Sequence, residues 1–446
     1  MPIRPLATAA ALALALAAAP SADAAAVDPE SVIVRFDDAA GHAERVGAVR
    51  ATGTGSAADL PGGTRELRIE DGETVSETLS ELRAQPGVAE ARPNYLLRKS
   101  AARYIPNDRG PPGPDDWRDL QWNFAGRFGI HTPEAWATMR RLDKDGGRGV
   151  VVAVIDSGVA YRDLGDRFRR APDLYKGRFA SGWDFVEHDR YPLDEDSHGT
   201  HVTGTIAEHV NNKRAVTGIA YGVHIMPVRV LNEHGDGDAF TFARSIRWAA
   251  NHGADVINLS VEFDVALVRS DIPEVVDAIE YADRKGVVLV GASGNESAGR
   301  VAYPARAESV ISVGATTSRG CKGEYSNSGK GLDVAAPGGG EDASPGASAW
   351  DQLHCEPFKS GRAIWQQTFF KNPRTFELVG FVGTSEAAPH ATAVAALVIA
   401  SGRIGKHPSP AAVAARLRAT ARDIGDPGRD PRYGSGLLDA AAAVAG

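Results

Sequence analysis

Short apolar runs alternate with helix-like stretches between residues 117 and 446, and this alternation constrains the fold more than any other feature. The helical segments include 239–251 and 273–285, and they lie among apolar runs at 150–155, 225–231, 256–259, 287–290 and 310–313. Apolar strands that alternate with helices build βαβ units and a parallel sheet. We therefore predict an α/β domain whose functional residues lie outside the carboxyl ends of its strands.

The first candidate functional residue is Asp156, which ends one apolar run and precedes a Gly turn in VIDSG (154–158). A carboxylate at the edge of a sheet, partly shielded from water, can orient an imidazole ring and stabilise its charged form. Taken alone, the motif also fits a turn-forming Asp that bonds only to the backbone.

The second candidate is His198, in DSHGTHVTGT (196–205), where Gly199 leaves space beside the ring. His198 and His201 have a spacing that a metal pair can use, but no carboxylate follows as in H-E-x-x-H. We therefore interpret His198 as a general base, which needs one partner on each side of the ring.

The third candidate is Ser385, in GTSEAAPH (383–390), at the start of an apolar helix. A Ser at this position is often only a helix cap. Here the flanking residues are small, so a substrate can approach the hydroxyl, and the N–H groups of the helix start can bind an oxyanion.

The three motifs occur in the order Asp, His, Ser, one of three unrelated chain orders of the same triad. The segments VAVIDSG, DSHGTHVTGTIA and GTSEAAPHATAVAAL resemble the three signatures of the subtilisin-like serine proteases. The resemblance continues through VRVL, DVINLS, GASGNE and YGSGLLDAAAAV, and it covers essentially all of residues 117–446. It implies a three-layer, doubly wound, mostly parallel sheet and a serine endopeptidase.

The resemblance also assigns roles to residues. Ser385 would attack the peptide carbonyl, His198 would transfer the proton, and Asp156 would hold the ring. Asn295 matches the family's oxyanion residue, although it also fits a turn after a strand. An inactive relative that only binds peptides is the alternative, and the presence of all four residues disfavours it. An esterase is disfavoured because GASGN (291–295) fails the G-x-S-x-G pattern.

A peptide-binding cleft is implied between two segments, since substrates in this family pair as an added strand. These segments are Gly235-Asp236-Gly237 and Ser260-Val261-Glu262. After DVINLS the family usually has Leu-Gly-Gly, whereas this chain has Val261-Glu262-Phe263, so the pocket is reshaped. We hypothesise that Glu262 and Glu296 favour Lys or Arg before the scissile bond; a Glu262 that faces solvent is the alternative.

Glu386 follows the nucleophile, where the family usually has Met. A carboxylate suits a helix N-terminus but is unfavourable close to an oxyanion. We predict that Glu386→Met changes the rate or the pH profile while sparing the fold.

Calcium is a candidate cofactor, because family members often bind Ca²⁺ near the loop that corresponds to residues 210–216. The predicted ligands are side-chain and backbone oxygens of Asp163, Val210, Asn212, Arg214 and Val216, with Gln121 as a further candidate. Lys213 and Arg214 make the loop less suitable for a cation. No cofactor is expected in the catalytic steps.

The chain has two cysteines, Cys321 and Cys355, without the spacing of a metal site. In an exported protein such a pair favours a disulfide over two buried thiols. Cys355 lies in a long segment, 338–381, which we expect to form a surface hairpin near Ser385.

The N-terminus has the features of an export signal over residues 1–24: Arg4, an Ala/Leu-rich run, and an A-x-A site. Residues 27–100 resemble the family's small α+β propeptides, which inhibit the cleft, and 101–116 form a Pro- and Gly-rich linker and processing region. Self-cleavage is expected within 99–104, ahead of a peptidase domain over 117–446.

The formal net charge is −8, without long runs of one sign, so we expect no nucleic-acid partner. No other apolar run is long enough to span a membrane. We expect a monomer, secreted to the periplasm or outside the cell, with protein or peptide substrates and its own propeptide as inhibitor.

Overall fold

The chain divides into two compact units, Met1–Ser100 and Ala101–Gly446. They are seen in a computed structural model that describes residues 27–60, 63–70, 73–95, 103–108, 110 and 117–445. The predicted signal peptide and most of the predicted linker lie outside the described residues.

The first unit is an antiparallel sheet of order β2-β3-β1-β4 with two helices. A small apolar core that includes Val32, Val34, Leu67 and Leu82 joins the sheet to the helices. The elements, in chain order, are β1 (Val27–Phe36), α1 (His42–Ala51), β2 (Thr54–Leu60), β3 (Thr64–Ile69), α2 (Val75–Arg83) and β4 (Val88–Tyr95).

The second unit is built on a seven-stranded sheet of order β11-β10-β9-β8-β5-β7-β6, in which every pair is parallel. The strands are β5 (Val151–Asp156), β6 (Trp183–Asp184), β7 (His224–Arg229), β8 (Val256–Leu259), β9 (Val288–Ala292), β10 (Val310–Thr316) and β11 (Val334–Pro337). The predicted parallel α/β sheet is therefore confirmed.

Helices cover both faces of this sheet. On β5, Val152 and Val154 belong to one apolar core, and Ala153 and Ile155 belong to the other. Because both faces are buried, the strands are apolar throughout, which is why the sequence shows continuous runs rather than alternation. The helices are α3 (Trp117–Leu120), α4 (Thr132–Arg141), α5 (His198–Ala207), α6 (Ala239–Asn251), α7 (Pro273–Arg284), α8 (Ala349–His354), α9 (Thr384–Ser401), α10 (Pro410–Thr420) and α11 (Ala440–Val444).

The long segment before α9 contains an antiparallel hairpin of β12 (Ile364–Phe369) and β13 (Phe376–Phe381). Strand β12 packs against α5, and the Thr368 hydroxyl donates to the carbonyl oxygen of Ser197 at 2.7 Å. The hairpin therefore supports the helix that carries His198 instead of lying only on the surface. Upstream of it, a disulfide joins Cys321 and Cys355, whose Cα atoms are 5.7 Å apart.

Part of the predicted linker packs on the second unit. The Tyr104 N–H donates to the carbonyl oxygen of Pro133 at 3.1 Å, and its ring contacts that of Trp136 edge to face. The second unit therefore begins before residue 117, the predicted start of the peptidase domain. No helix among the described residues has the length and apolarity that crossing a membrane requires.

Candidate active site

Three candidate residues follow the carboxyl ends of neighbouring strands, as the βαβ topology requires. Asp156 ends β5, Ser260 follows β8, and Asn295 follows β9 within three residues. Asp156 is fully buried, and its Oδ1 accepts the Ser157 N–H at 2.7 Å and the Nδ1–H of His198 at 2.8 Å. A buried carboxylate at Nδ1 leaves the Nε2 lone pair of His198 available as a base.

The start of α5 is held by Asp194, a residue that the sequence patterns did not identify. Its Oδ1 accepts the Ser157 hydroxyl at 2.9 Å and the N–H groups of Asp196 and Ser197 at 3.0 and 2.9 Å. Its Oδ2 accepts the N–H and the hydroxyl of Thr200 at 2.9 and 2.5 Å. These five bonds fix the turn before His198, in which Ser197 has φ of 103°. An Asp four residues before a His at a helix start could have indicated this capping role.

Gly199 is needed for the close approach of α5 to β5. A Cβ at this position would lie 2.1 Å from the carbonyl oxygen of Gly158 and 3.1 Å from Asp156 Oδ1. Any side chain here would push His198 away from Asp156.

The start of α9 presents Ser385 next to Ser260. The Ser385 hydroxyl donates to the carbonyl oxygen of Ser260 at 3.1 Å, and the Ser260 hydroxyl donates to the carbonyl oxygen of Ser385 at 2.8 Å. The second bond is possible because Pro389, inside the helix, has no N–H to offer that carbonyl. Ser260, expected only as a cleft wall, therefore also holds Ser385 in position.

Asn295 is held by two neighbours that face its amide from opposite sides. Its Oδ1 accepts the N–H and the hydroxyl of Thr384 at 2.9 and 3.0 Å, and its Nδ2 donates to Glu262 Oε1 at 3.3 Å. The Asn295 N–H also donates to Glu262 Oε2 at 2.7 Å. The amide nitrogen is thus turned away from Thr384, and Glu262 adds a carboxylate beside it.

A cavity of about 430 Å³ joins the candidate catalytic and substrate residues. Most of the predicted cleft residues line it together with His198 and Ser385, namely Gly235, Asp236, Gly237, Ser260, Val261 and Glu262, and Phe263 joins them. Glu296 is not among its lining residues: its carboxylate accepts the Val265 N–H at 3.0 Å and the Asn327 amide at 2.6 Å. The contacts of Glu296 therefore do not support its predicted part in the pocket.

Two carboxyl groups flank the ring of His198. Asp156 bonds to Nδ1, and Glu386 Oε1 lies 3.9 Å from Nε2. Burial by itself lowers the pKa of His198, but the charge of Asp156 and, when Glu386 is ionised, the charge of that residue outweigh burial and raise the pKa. Glu386 is 2% exposed, and burial raises the pKa of its carboxyl.

The loop predicted to bind calcium wraps around the carboxylate of Asp108. Asp108 accepts the N–H groups of Asn211 and Asn212 at 2.7 and 2.8 Å, and Asn107 Oδ1 accepts the Lys213 N–H at 3.0 Å. Positive φ values alternate along the loop, 62° at Asn211 and 65° at Lys213. This conformation turns N–H groups inward and forms a nest for an anion.

The side chains predicted to bind calcium accept backbone N–H groups in this arrangement. Asn212 Oδ1 accepts the Arg214 N–H at 2.8 Å, Asp163 Oδ1 accepts the Arg170 N–H at 2.8 Å, and Gln121 Oε1 accepts the Thr217 N–H at 2.9 Å. Val210 and Val216 are buried apolar residues of the same loop. Within the described ranges, one set of metal-binding side chains converges, Cys321, Asp342 and Cys355, and its cysteines form the disulfide.

The structure thus brings Asp156, His198 and Ser385 to the carboxyl edge of one parallel α/β sheet. Residues 147–436 match the Subtilase family, and the chain belongs to that family. It is 33% identical over 307 residues to the Thermophilic serine proteinase of Bacillus sp. (strain AK1), with 69% of each chain covered. It is also 33% identical over 300 residues to Subtilisin Savinase of Lederbergia lenta, covering 67% of this chain and 91% of that one.

Among solved structures, the chain is similar to one of the proteases from Pseudoalteromonas arctica. The TM-score is 0.59 at 28% identity, over 76% of this chain and 99% of that one. The family and these relatives confirm the predicted enzyme class: the protein is a subtilisin-like serine endopeptidase.

Proposed function

We propose that Asp156, His198 and Ser385 form the catalytic triad of this endopeptidase and that it works through an acyl-enzyme. The observation that carries the proposal is the 2.8 Å bond from His198 to the fully buried Asp156, in a cavity that Ser385 also lines. The bond fixes the ring with Nε2 toward the cavity, where a base for the serine hydroxyl is needed.

In the first step, the Ser385 hydroxyl turns from the Ser260 carbonyl toward His198 Nε2, gives up its proton and attacks the peptide carbonyl. His198 then carries the proton, with Asp156 stabilising its charge, and passes it to the leaving amine. Water then gives a proton to His198 and attacks the acyl carbon; the bond to Ser385 breaks, the acid product leaves, and His198 returns the proton to the Ser385 oxygen. These steps use only protein groups and water.

The developing oxyanion would be bound by the Ser385 N–H and by the Asn295 amide. The first turn of α9 has N–H groups without an acceptor inside the helix, and Thr384 holds Asn295 so that Nδ2 faces away from it. In this protein the Glu262 carboxylate lies beside the proposed oxyanion site, because it accepts a hydrogen bond from the same Asn295 amide nitrogen.

We further propose that the chain is an exported precursor that removes its own N-terminal segment and works as a monomer. The first unit, Met1–Ser100, has its own apolar core, which suits a separable propeptide that inhibits the cleft. Tyr104 packs on the peptidase unit, so we place the self-cleaved bond in the 99–104 region, before Tyr104. The A-x-A site supports export to the periplasm or beyond.

The test is expression of the full chain as wild type, Ser385→Ala and Ser401→Ala, with intact-mass measurement and a peptide-cleavage assay. We expect Ser385→Ala to keep its N-terminal segment and to lose about 10⁶-fold in kcat, the size of loss recorded for the nucleophile of subtilisin. Ser401→Ala, at the other end of α9, controls for the substitution itself and should process normally. Processing of Ser385→Ala in the absence of other proteases would contradict self-cleavage, and retained peptidase activity would overturn the triad.

A further inference from the structure

Glu386 lies between two imidazole rings of α5. Its Oε1 is 3.9 Å from His198 Nε2 and 4.0 Å from His201 Nδ1. Its Oε2 lies 2.6 Å from the point where a Cβ on Gly383 would be. The missing side chain of Gly383 therefore lets the carboxyl fold back into the buried space beside the rings.

His201 offers a free lone pair toward this carboxyl. Its Nε2–H donates to the carbonyl oxygens of Ile364 and Val379 at 3.1 and 3.2 Å, so Nδ1 carries no proton. Nδ1 is buried and has no hydrogen-bond partner in the described part of the chain. Stacking on Phe381, with ring centroids 4.4 Å apart, holds the ring in place.

A neutral His201 and an ionised Glu386 would face each other without a proton between them. Burial, together with the charge of His198, lowers the pKa of His201 to about 3, so this ring stays neutral. Burial raises the pKa of Glu386. Oε1 lies 4.0 Å from Nδ1, about 1 Å beyond hydrogen-bond distance, so a protonated Glu386 would need only a small side-chain rotation to donate its O–H to Nδ1 and satisfy both groups.

The other groups that face Glu386 do not supply a second proton. Asp156 disfavours its charge, and His198 is the one neighbour whose protonation favours it. Tyr325 donates its hydroxyl to Gly339 at 2.9 Å, and burial raises its pKa. His390 Nδ1 donates to the Glu386 backbone carbonyl at 2.8 Å, and its Nε2 accepts from Asn123. Asp196 acts on His198 rather than on Glu386.

We propose that Glu386 and His201 share one buried proton, and that this pair keeps His198 unprotonated and able to act as the base. The same proton can lie on Glu386, next to His201, or on His198, and these are two different arrangements. In one, Glu386 is neutral and His198 is free; in the other, a carboxylate is paired with an imidazolium. The lone pair of His201 stabilises the first arrangement, which is the active one. Both residues are positioning residues for the triad, so this inference rests on the proposed function.

The first test compares the pH dependence of kcat/KM for wild type and Glu386→Gln. The amide keeps an N–H for His201 Nδ1 and cannot ionise, so it imitates the protonated carboxyl. We expect the acid limb to stay within about 0.3 pH units of wild type, and the alkaline decline caused by Glu386 ionisation to disappear. A fall of the acid-limb pKa by about one unit or more would show that Glu386 is ionised in the resting enzyme, and would overturn the proposal.

The second test is His201→Phe in the wild-type and Glu386→Gln backgrounds. Without the lone pair, Glu386 should give up its proton to His198, so the pKa of the acid limb should rise by about one unit, and kcat/KM at a pH well below that limb should fall about tenfold. In the Glu386→Gln background we expect no shift. An equal shift in both backgrounds would mean that His201 acts only on packing.

If His201→Phe does not fold, infrared spectroscopy tests the proposal without an activity measurement. The infrared difference spectrum of folded wild type minus Glu386→Gln near neutral pH should contain the carbonyl stretch of a protonated carboxyl. If only carboxylate bands differ, the shared proton is disproved, and this result does not depend on whether the triad assignment is right.

Discussion

The buried acidic residues on the two sides of the active site differ in how many hydrogen bonds they accept. On the α5 side, Asp194 is buried with five hydrogen bonds from four residues. On the α9 side, Glu386 is equally buried but faces two imidazole nitrogens at about 4 Å. Burial raises the pKa of both carboxyls, and at Asp194 the donors act against that shift. The number of donors therefore distinguishes a buried acid that fixes a turn from one that can titrate beside the reaction.

Outside the proposed triad, the largest effect is expected on the α9 side, at Asn295. Asn295→Ala removes the proposed oxyanion donor and should lower kcat by about 10²–10³-fold with little change in KM. Thr384→Val removes one of the two bonds that orient the amide and should give a smaller loss of the same kind. A change in KM alone would assign Asn295 to ground-state binding and remove it from the oxyanion site.

On the α5 side, we expect a substitution to change the stability of the fold. Asp194→Ala leaves buried donors without an acceptor, at about 1–3 kcal/mol for each one that finds no substitute. We expect a loss of several kcal/mol in the free energy of unfolding, measured by denaturant titration in a Ser385→Ala background to prevent autolysis. A loss below about 1 kcal/mol would mean that the turn before His198 does not depend on this cap.

The 210–216 loop extends the comparison, because Asp108 is a buried acid that also has backbone donors. We expect chelation of calcium to leave the melting temperature unchanged, since the inward-facing N–H groups suit an anion. Asp108→Ala should lower the free energy of unfolding by about 1–3 kcal/mol. If a chelator lowers the melting temperature and added Ca²⁺ restores it, the loop rearranges to bind the ion after all.

The smallest effect is expected at Glu262, which is exposed at the rim of the cavity. Exposed ion pairs contribute up to about 1 kcal/mol, so a preference for Lys or Arg before the scissile bond should be about fivefold at most. Glu262→Gln should remove it in a peptide-library cleavage profile. Glu296→Gln is the matched control. The Glu296 carboxylate accepts hydrogen bonds from Val265 and Asn327, so this substitution should leave the cleavage profile unchanged. A wild-type cleavage profile without a preference for Lys or Arg before the scissile bond would contradict the hypothesis.

Much of the peptidase unit was predictable because its chemistry is local. The strand at Val256–Leu259 and the helix at Ala239–Asn251 begin and end at the predicted residues. Continuous apolar runs specify strands that are buried on both faces. The N-terminal boundary was less predictable, because Pro and Gly indicate irregular backbone without showing whether it packs, as Tyr104 and Asp108 do.

The sequence by itself determined the parallel α/β fold and the order of Asp156, His198 and Ser385, since strand ends and helix starts are encoded by neighbouring residues. It also marked Glu386 as unusual. Only the tertiary structure decided which partners these residues meet. Asp194 holds the turn before His198, Glu262 accepts from the Asn295 amide, and His201 faces Glu386. The physical reason is that donors and acceptors from distant segments meet only when the sheet brings strand ends together, and a buried carboxyl takes its charge and role from them.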